Sequence, residues 1–234
     1  MKAVIMQPTY LPWMGYFDLM DQSDVFVFLD DVQFSRRSWQ QRNKIKTTAG
    51  SQWLTVPVMR NHGPEVREVD IREVGIDNTF DWASKHLKAI KFNYNRAKCF
   101  RDYSDEIETV YGSRWEKLFD LNVSLILRIA KLLGIKSTII FSSQLAVAGS
   151  KTEKLVGLCK RVNADIYLSP VGSAEYINEN DIFNDHGIQL KYHSFRFPQY
   201  QQLHGDFITH MSVLDLMLNE GKSSIEIIRN GRLR

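Results

Sequence analysis

The chain has 234 residues, 44% of them hydrophobic and 24% charged, and a formal net charge of +3. That is the mix of a folded globular protein, long enough for one large domain or a core with a sizeable insertion. So small a charge argues against a nucleic-acid or membrane partner, nothing reaches the length of a membrane span, and "MKAVIMQP" is too short an apolar opening for a signal peptide, so the chain is expected in the cytoplasm.

In chain order, Lys2 to Met6 is apolar enough for a buried strand. It leads into "MQPTYLPWMGYF" at 6–17, a turn with two prolines, a glycine, two tyrosines and a tryptophan. Strand-to-helix turns are ordinarily short and polar; a rigid aromatic one suits a pocket wall, or a cover for the sheet edge. A short helix is predicted over 15–22, and a second buried strand in "DVFVFL" at 24–29. "DDVQFSRRSWQQRNKIKTTAG" reads as a long polar loop, "WLTVPV" at 53–58 as a third strand, Asn61-His62-Gly63-Pro64 as a turn, and "VREVDI" at 66–71 as an edge strand.

From Asn78 to Gly134 the pattern is helical. Phe80, Ala83, Leu87 and Ile90 fall on one face, with Asn78 or Thr79 placed as cap, and a longer apolar stripe from Trp115 to Leu133 stops at Gly134. Trp82, Trp115 and Phe119 are read as core. "STIIFSSQL" then predicts a strand, "SKTEKLVGLCKRVNA" a helix with Ser150 and Glu153 as a capping box, and "DIYLSP" and "IQLKYHSF" further strands. Strands alternating with helices imply right-handed crossovers and a mainly parallel sheet flanked by helices. The expected architecture is one α/β domain over 1–234 with a helical insertion at about 78–134. Cys99 and Cys159, far apart, read as buried reduced thiols. The sequon at Asn122 lies in mid-helix and is discounted.

In open parallel sheets ligands sit beyond the carboxyl ends of the strands, where the strand order switches. Three unusual segments follow predicted strands there. In the first, Gln7, Tyr10, Trp13 and Tyr16 offer polar and stacking surface, and Gly15 opens a helix whose N–H groups suit a phosphate. In the second, Asp30 and Asp31 are candidate catalytic carboxylates; alternation on a strand would aim one of them at any given pocket. Arg36, Arg37, Arg42, Lys44 and Lys46, interleaved with Trp39, Gln40, Gln41 and Asn43, suit a polyphosphate better than a merely solvated face. In the third, "SPVGSAEY" at 169–176 offers a backbone nest with Ser173 and Tyr176, and Glu175 as a base or metal ligand. Phe195 to Gln201, with Asp206 and Phe207, reads as a polar-aromatic stretch able to close over the site. There is no zinc signature, Walker A motif, GxGxxG or GxSxG elbow.

"QPTYLPWMGYF", "DVFVFLDDVQFSRRSWQQRNKIKT", "WLTVPV", "YLSPVGSAEY" and "FPQYQ…LDLMLNEG" together resemble the WbqC-like family over nearly the whole chain. The resemblance implies a part in bacterial surface-glycan, O-antigen-like (lipopolysaccharide) synthesis. An acyl or aminoacyl transferase acting on an amino sugar carried on a nucleotide is the expected activity. A nucleotidyltransferase acting on a sugar phosphate and a non-catalytic nucleotide-sugar or glycan-binding module are the alternatives. The implied substrate is a nucleotide-linked sugar, and the implied cofactor is ATP or another nucleotide with Mg²⁺. The opening strand–turn–helix is also similar in layout to the HxGH turn of nucleotidylyltransferases and pantothenate-synthetase-like ligases. Its two histidines are absent, with Pro12 and Tyr16 or their neighbours in the corresponding stretch, so phosphate would have to be held by the helix N-terminus and the Arg36–Lys46 segment.

Overall fold

A computed structural model describes residues 1–59, 69–149, 151–170 and 180–233. Its strands are β1 (Lys2–Met6), β2 (Val25–Phe28), β3 (Arg42–Thr47), β4 (Gly50–Thr55), β5 (Thr138–Phe141), β6 (Ile166–Ser169) and β7 (Gln189–Tyr192). Its helices are α1 (Met14–Gln22), α2 (Trp82–Tyr94), α3 (Phe100–Gly112), α4 (Leu118–Leu132), α5 (Ser142–Leu145), α6 (Lys151–Arg161), α7 (Asn180–Asp185), α8 (Val213–Glu220) and α9 (Ser224–Asn230). Among the described residues no helix is long and apolar enough to cross a membrane.

Five strands form one parallel sheet in the order β5-β2-β1-β6-β7. The fold is α/β, as the apolar runs separated by helical stretches predict. Alternation within the strands splits the core in two. Val4, Phe26 and Phe28 face a large cluster with Phe17 of α1, Ile126 of α4 and Leu216 of α8. Ala3, Ile5, Val25 and Val27 face a smaller one with Val156 and Cys159 of α6 and Phe183 of α7. Both faces are covered, which is why β1 and β2 read as unbroken apolar runs. The order of the chain along the sheet reverses at β1: β2 and β5 extend one way, β6 and β7 the other.

Some expectations fail at the level of elements. Arg42–Thr47 is a strand rather than loop, paired antiparallel with β4 in a separate two-stranded sheet, so the predicted strand at 53–58 begins earlier, at Gly50. Its basic alternation hid it: Arg42 and Lys44 line one face, while Asn43 and Ile45 are buried on the other. "STIIFSSQL" splits after Phe141, because Ser142 opens α5. The cap of α2 is Asp81, not Asn78 or Thr79, and Phe80 lies outside the helix, 57% exposed. In the edge-strand segment, Ile71–Glu73 form a 3-10 turn capped by Asp70. Asn61-His62-Gly63-Pro64, Ser150, Ser173, Glu175 and Tyr176 lie outside the described residues. Cys159 is buried and free; Cys99 is free but half-buried, just before α3. The sequon Asn122 is buried, its amide donating to the carbonyls of Pro8 (3.3 Å) and Gln40 (2.7 Å).

Candidate functional site

Where the strand order reverses, the carboxyl ends of β1 and β6 diverge and leave a cleft of about 450 Å³. Its floor is Ile5, Met6 and Tyr167, and Gln7, Thr9, Leu29 and Val32 form one wall. The other wall is the first turn of α6, with Lys151, Thr152, Lys154 and Leu155. α6 starts here because β5 ends at the same sheet edge and the chain must run back to reach β6. The first turn of α6 therefore brings its backbone N–H groups and the partial positive charge of a helix start to the cleft, and Lys151 and Lys154 add full charges to those of a turn that also holds Glu153. This is chemistry for an anion.

Beside the cleft sit the two carboxylates singled out from the sequence, and they have different work. Asp30 is buried. It accepts from Ser143 N–H (2.8 Å), Ser143 Oγ (2.7 Å) and Ser142 Oγ (2.9 Å), and its own N–H donates to Ser142 Oγ (3.0 Å). It holds the start of α5 to the end of β2. Asp31 is partly exposed; it accepts from Ser142 Oγ (2.5 Å) and pairs with Lys154 Nζ at 2.8 Å. Burial opposes ionisation of Asp31, but the hydrogen bonds from Lys154 and Ser142 outweigh it and hold its carboxyl below the usual carboxylate range. Both carboxylates reach one serine, against the expected alternation, because they lie past Phe28, where β2 has ended.

Of the candidate site residues in the first motif, Gln7 lines the cleft, beside Met6 and Thr9, and Tyr10, Trp13, Gly15 and Tyr16 are not part of its lining. Tyr10 is fully buried, its hydroxyl 2.8 Å from His86 Nδ1 and 2.5 Å from the Tyr111 hydroxyl. Tyr16 is buried against Phe17 and Phe26 and donates to the Gln7 carbonyl at 3.2 Å. Burial pushes both phenols far up, and Tyr111 adds to the effect on Tyr10. Trp13 packs on Phe195 and Phe197, with ring centroids 5.6 and 5.1 Å away. Gly15 makes room for that indole, not for a ligand: a Cβ there would lie 1.9 Å from the Trp13 ring. The stretch expected to close over the site is thus spent on Trp13, while Tyr200 donates to buried Asp215 at 2.7 Å and packs edge-on against Phe207. Leu11 holds a left-handed φ of 44°, fixed by Asn43 Nδ2 donating to its carbonyl at 2.6 Å. So Tyr10 to Tyr16 of the stiff turn pack as scaffold, while Gln7 and Thr9 line the cleft.

The basic segment splits likewise. Lys46 is buried, its ammonium on the carbonyls of Gly205 and Asp206, and Asn43 is buried as described. Arg36, Arg37, Trp39, Arg42 and Lys44 lie on or beside the β3–β4 hairpin, outside the cleft lining. One link joins the two places: Gln40 Nε2 donates to Gln7 Oε1 at 2.7 Å. Lys151, Thr152 and Lys154 were missed from sequence. The signal was there, in a helix start placed just after a strand, but it was read only as a cap.

Residues 7–227 match the family profile described as the WbqC-like protein family. The chain is also 36% identical over 233 residues, 97% of each chain, to "Uncharacterized protein Rv1507c" of Mycobacterium tuberculosis. No solved structure matches.

Proposed function

The chain belongs to the WbqC-like protein family, and from that premise we propose that it binds a nucleotide-linked amino sugar in the switch-point cleft and transfers an acyl or aminoacyl group to it. One observation carries the reading: Lys151, Lys154 and the α6 N-terminus line the cleft where the strand order reverses, the place where α/β sheets hold phosphorylated ligands. In this reading the lysines neutralise phosphate oxygens, and Thr9, Thr152 and Gln7 hydrogen-bond the rest of the ligand. Lys154 drawn to phosphate releases Asp31, which orients the sugar amine. The amine attacks the carbonyl carbon of an activated acyl donor; the C–N bond forms, the bond to the donor's leaving group breaks, and Asp31 takes the amine proton. Helices α2 to α4 are then an insertion in a single α/β domain, and the activity belongs to surface-glycan (lipopolysaccharide, O-antigen-like) synthesis.

ATP phosphates fit the same lysines. A Mg²⁺ ion fits less well, since Asp30 and Asp31 are both engaged and no group of three or more His, Cys, Asp or Glu able to hold a metal occurs among the described residues. A binding module without catalysis is the second reading, favoured by a cleft lining that contains no carboxylate, Cys or His among the described residues.

Thermal unfolding with UDP-N-acetylglucosamine, UDP and ATP, each with and without Mg²⁺, tests the binding step. Ligand at 100 times its Kd adds about 2.7 kcal/mol, and each kcal/mol raises Tm by roughly 2–4 °C for a chain of this size. The expected result is a rise of several degrees with the nucleotide-sugar, lost in Lys154→Met. Absence of any shift at millimolar ligand sinks the reading. Pyrophosphate release from a nucleoside triphosphate and a sugar phosphate would replace acyl transfer with nucleotidyl transfer.

A further inference from the structure

The hairpin outside the cleft carries an arrangement that neither the fold nor the cleft requires. Trp39 is 50% exposed and Trp53 41%, and their rings touch, with centroids 5.4 Å apart and planes inclined at 39°. Arg42 Cζ lies 4.4 Å from the centre of the Trp53 ring and Lys44 Nζ 4.8 Å, the latter from the residue directly opposite on the paired strand. Arg36, three residues before Trp39, donates to the Met59 carbonyl at 3.3 Å, and Met59 is 52% exposed. From Val32 to Met59 there is no Asp or Glu.

The patch is held rigid from below. Gln40 and Gln41 are buried; Gln40 Oε1 accepts from Ser35 N–H (2.8 Å) and Gln41 Oε1 from Arg37 N–H (2.9 Å). The Trp39 carbonyl accepts from Tyr10 N–H (2.9 Å), and buried Asn43 ties the hairpin to Leu11. Two large apolar rings are thus kept in water on a fixed frame, the Trp53 ring beside two cations. A merely solubilising loop has no use for such a frame; a binding surface gains affinity from it, because little ordering remains to be done.

The ring geometry selects the ligand. The indoles are in mutual contact, so no slot between them admits a flat base, and their 39° bend breaks up the coplanar face that stacked bases use. A bent aromatic surface meets the puckered face of a pyranose, whose axial C–H bonds carry partial positive charge toward the negative ring faces. Arg42 and Lys44 at the same spot supply donors for a carboxylate or phosphate on that sugar. We propose that the Trp39–Trp53 platform, with Arg42 and Lys44, is a binding site for an acidic oligosaccharide. The site is separate from the cleft, and the proposal does not depend on what the cleft binds.

Isothermal titration at low salt with tetragalacturonate, neutral maltotetraose and the oligonucleotide dT4 tests it. Tetragalacturonate binds at least tenfold more tightly than either control. Trp39→Ala and Trp53→Ala each weaken it at least tenfold, Arg42→Gln with Lys44→Gln removes the preference over maltotetraose, and Lys154→Met changes nothing. Unchanged far-UV circular dichroism and a cooperative unfolding transition show that the tryptophan variants are folded. The proposal is overturned if dT4 binds as well as the acidic saccharide, if binding survives both tryptophan substitutions, or if neither saccharide binds at millimolar concentration. Loss of nucleotide binding in Lys154→Met with tetragalacturonate binding intact separates this site from the cleft.

Discussion

Between Tyr10 and Phe17 the aromatic rings turn into the protein, and between Trp39 and Trp53 they stay outside, although the two stretches look alike in composition. What separates them is the company each ring keeps. Tyr10 and Tyr16 find internal partners for their hydroxyls, in His86, Tyr111 and the Gln7 carbonyl, so their rings can be buried without stranding a polar group. Trp53 shares its face of the hairpin with Lys44 and Arg42; burying the ring would drag two cations after it. Aromatic content alone therefore says little about where a ligand binds, and cross-strand neighbours say a good deal.

Truncation is the strongest way to test this division. Phe17→Ala, at a site with no exposure, is expected to cost about 3–5 kcal/mol, measured by urea unfolding. Equal costs at Phe17 and Trp53 would erase the distinction.

Acid probes the buried side alone. Burial lowers the pKa of His86 to about 4, although a hydrogen bond to the Thr55 backbone works the other way. The unfolded chain takes up a proton near pH 6.5 while the folded one resists it, so His86 contributes stability that is complete above pH 6.5 and is lost as pH falls toward 4. The loss approaches roughly 3 kcal/mol. His86→Leu should flatten the unfolding profile in that window; an unchanged slope would mean that the histidine titrates normally.

The carboxylate pair gives a finer contrast. Asp30→Ala strands the Ser143 N–H and hydroxyl, while the Ser142 hydroxyl keeps Asp31, and should cost about 2–3 kcal/mol. Asp31→Ala, losing a partly exposed ion pair, should cost less than about 1 kcal/mol. Because the folded pKa of Asp31 is lowered, its contribution is present above the unfolded carboxylate value and fades as pH drops below it; Asp31→Asn removes that part of the acid limb. Smallest of all is Trp53→Ala, within about 1 kcal/mol, since its ring is half in water already.

The parallel sheet was legible because strands covered on both faces are written as apolar runs. β3 was not, since "RNKIKT" hides four buried positions, Lys46 among them, behind the half-buried cations Arg42 and Lys44. The opening motif announced a special turn, but its purpose depended on Asn43, His86 and Tyr111, partners from distant parts of the chain. The setting of Asp30 was hidden for the same reason: nothing beside it in sequence reveals that Ser142 and Ser143 arrive to cap it. Most of the cleft's charge comes from α6, where Lys151 and Lys154 become visible only once the strand order brings that helix to β1.

That order has a bearing on how the protein is made. β1 lies between β2 and β6, pairing Lys2 with Ile166 and Ala3 with Tyr167. As the chain leaves the ribosome, β1 and β2 can meet early, yet one edge of β1 stays bare until the final third has been translated. The helices α2 to α4 emerge in that interval and can settle first, being locally stabilised. The cleft, whose floor needs both β1 and β6, comes into existence last. Binding competence is thus a late event in the life of each nascent molecule, and the exposed edge of β1 is the place where a chaperone would have most to protect.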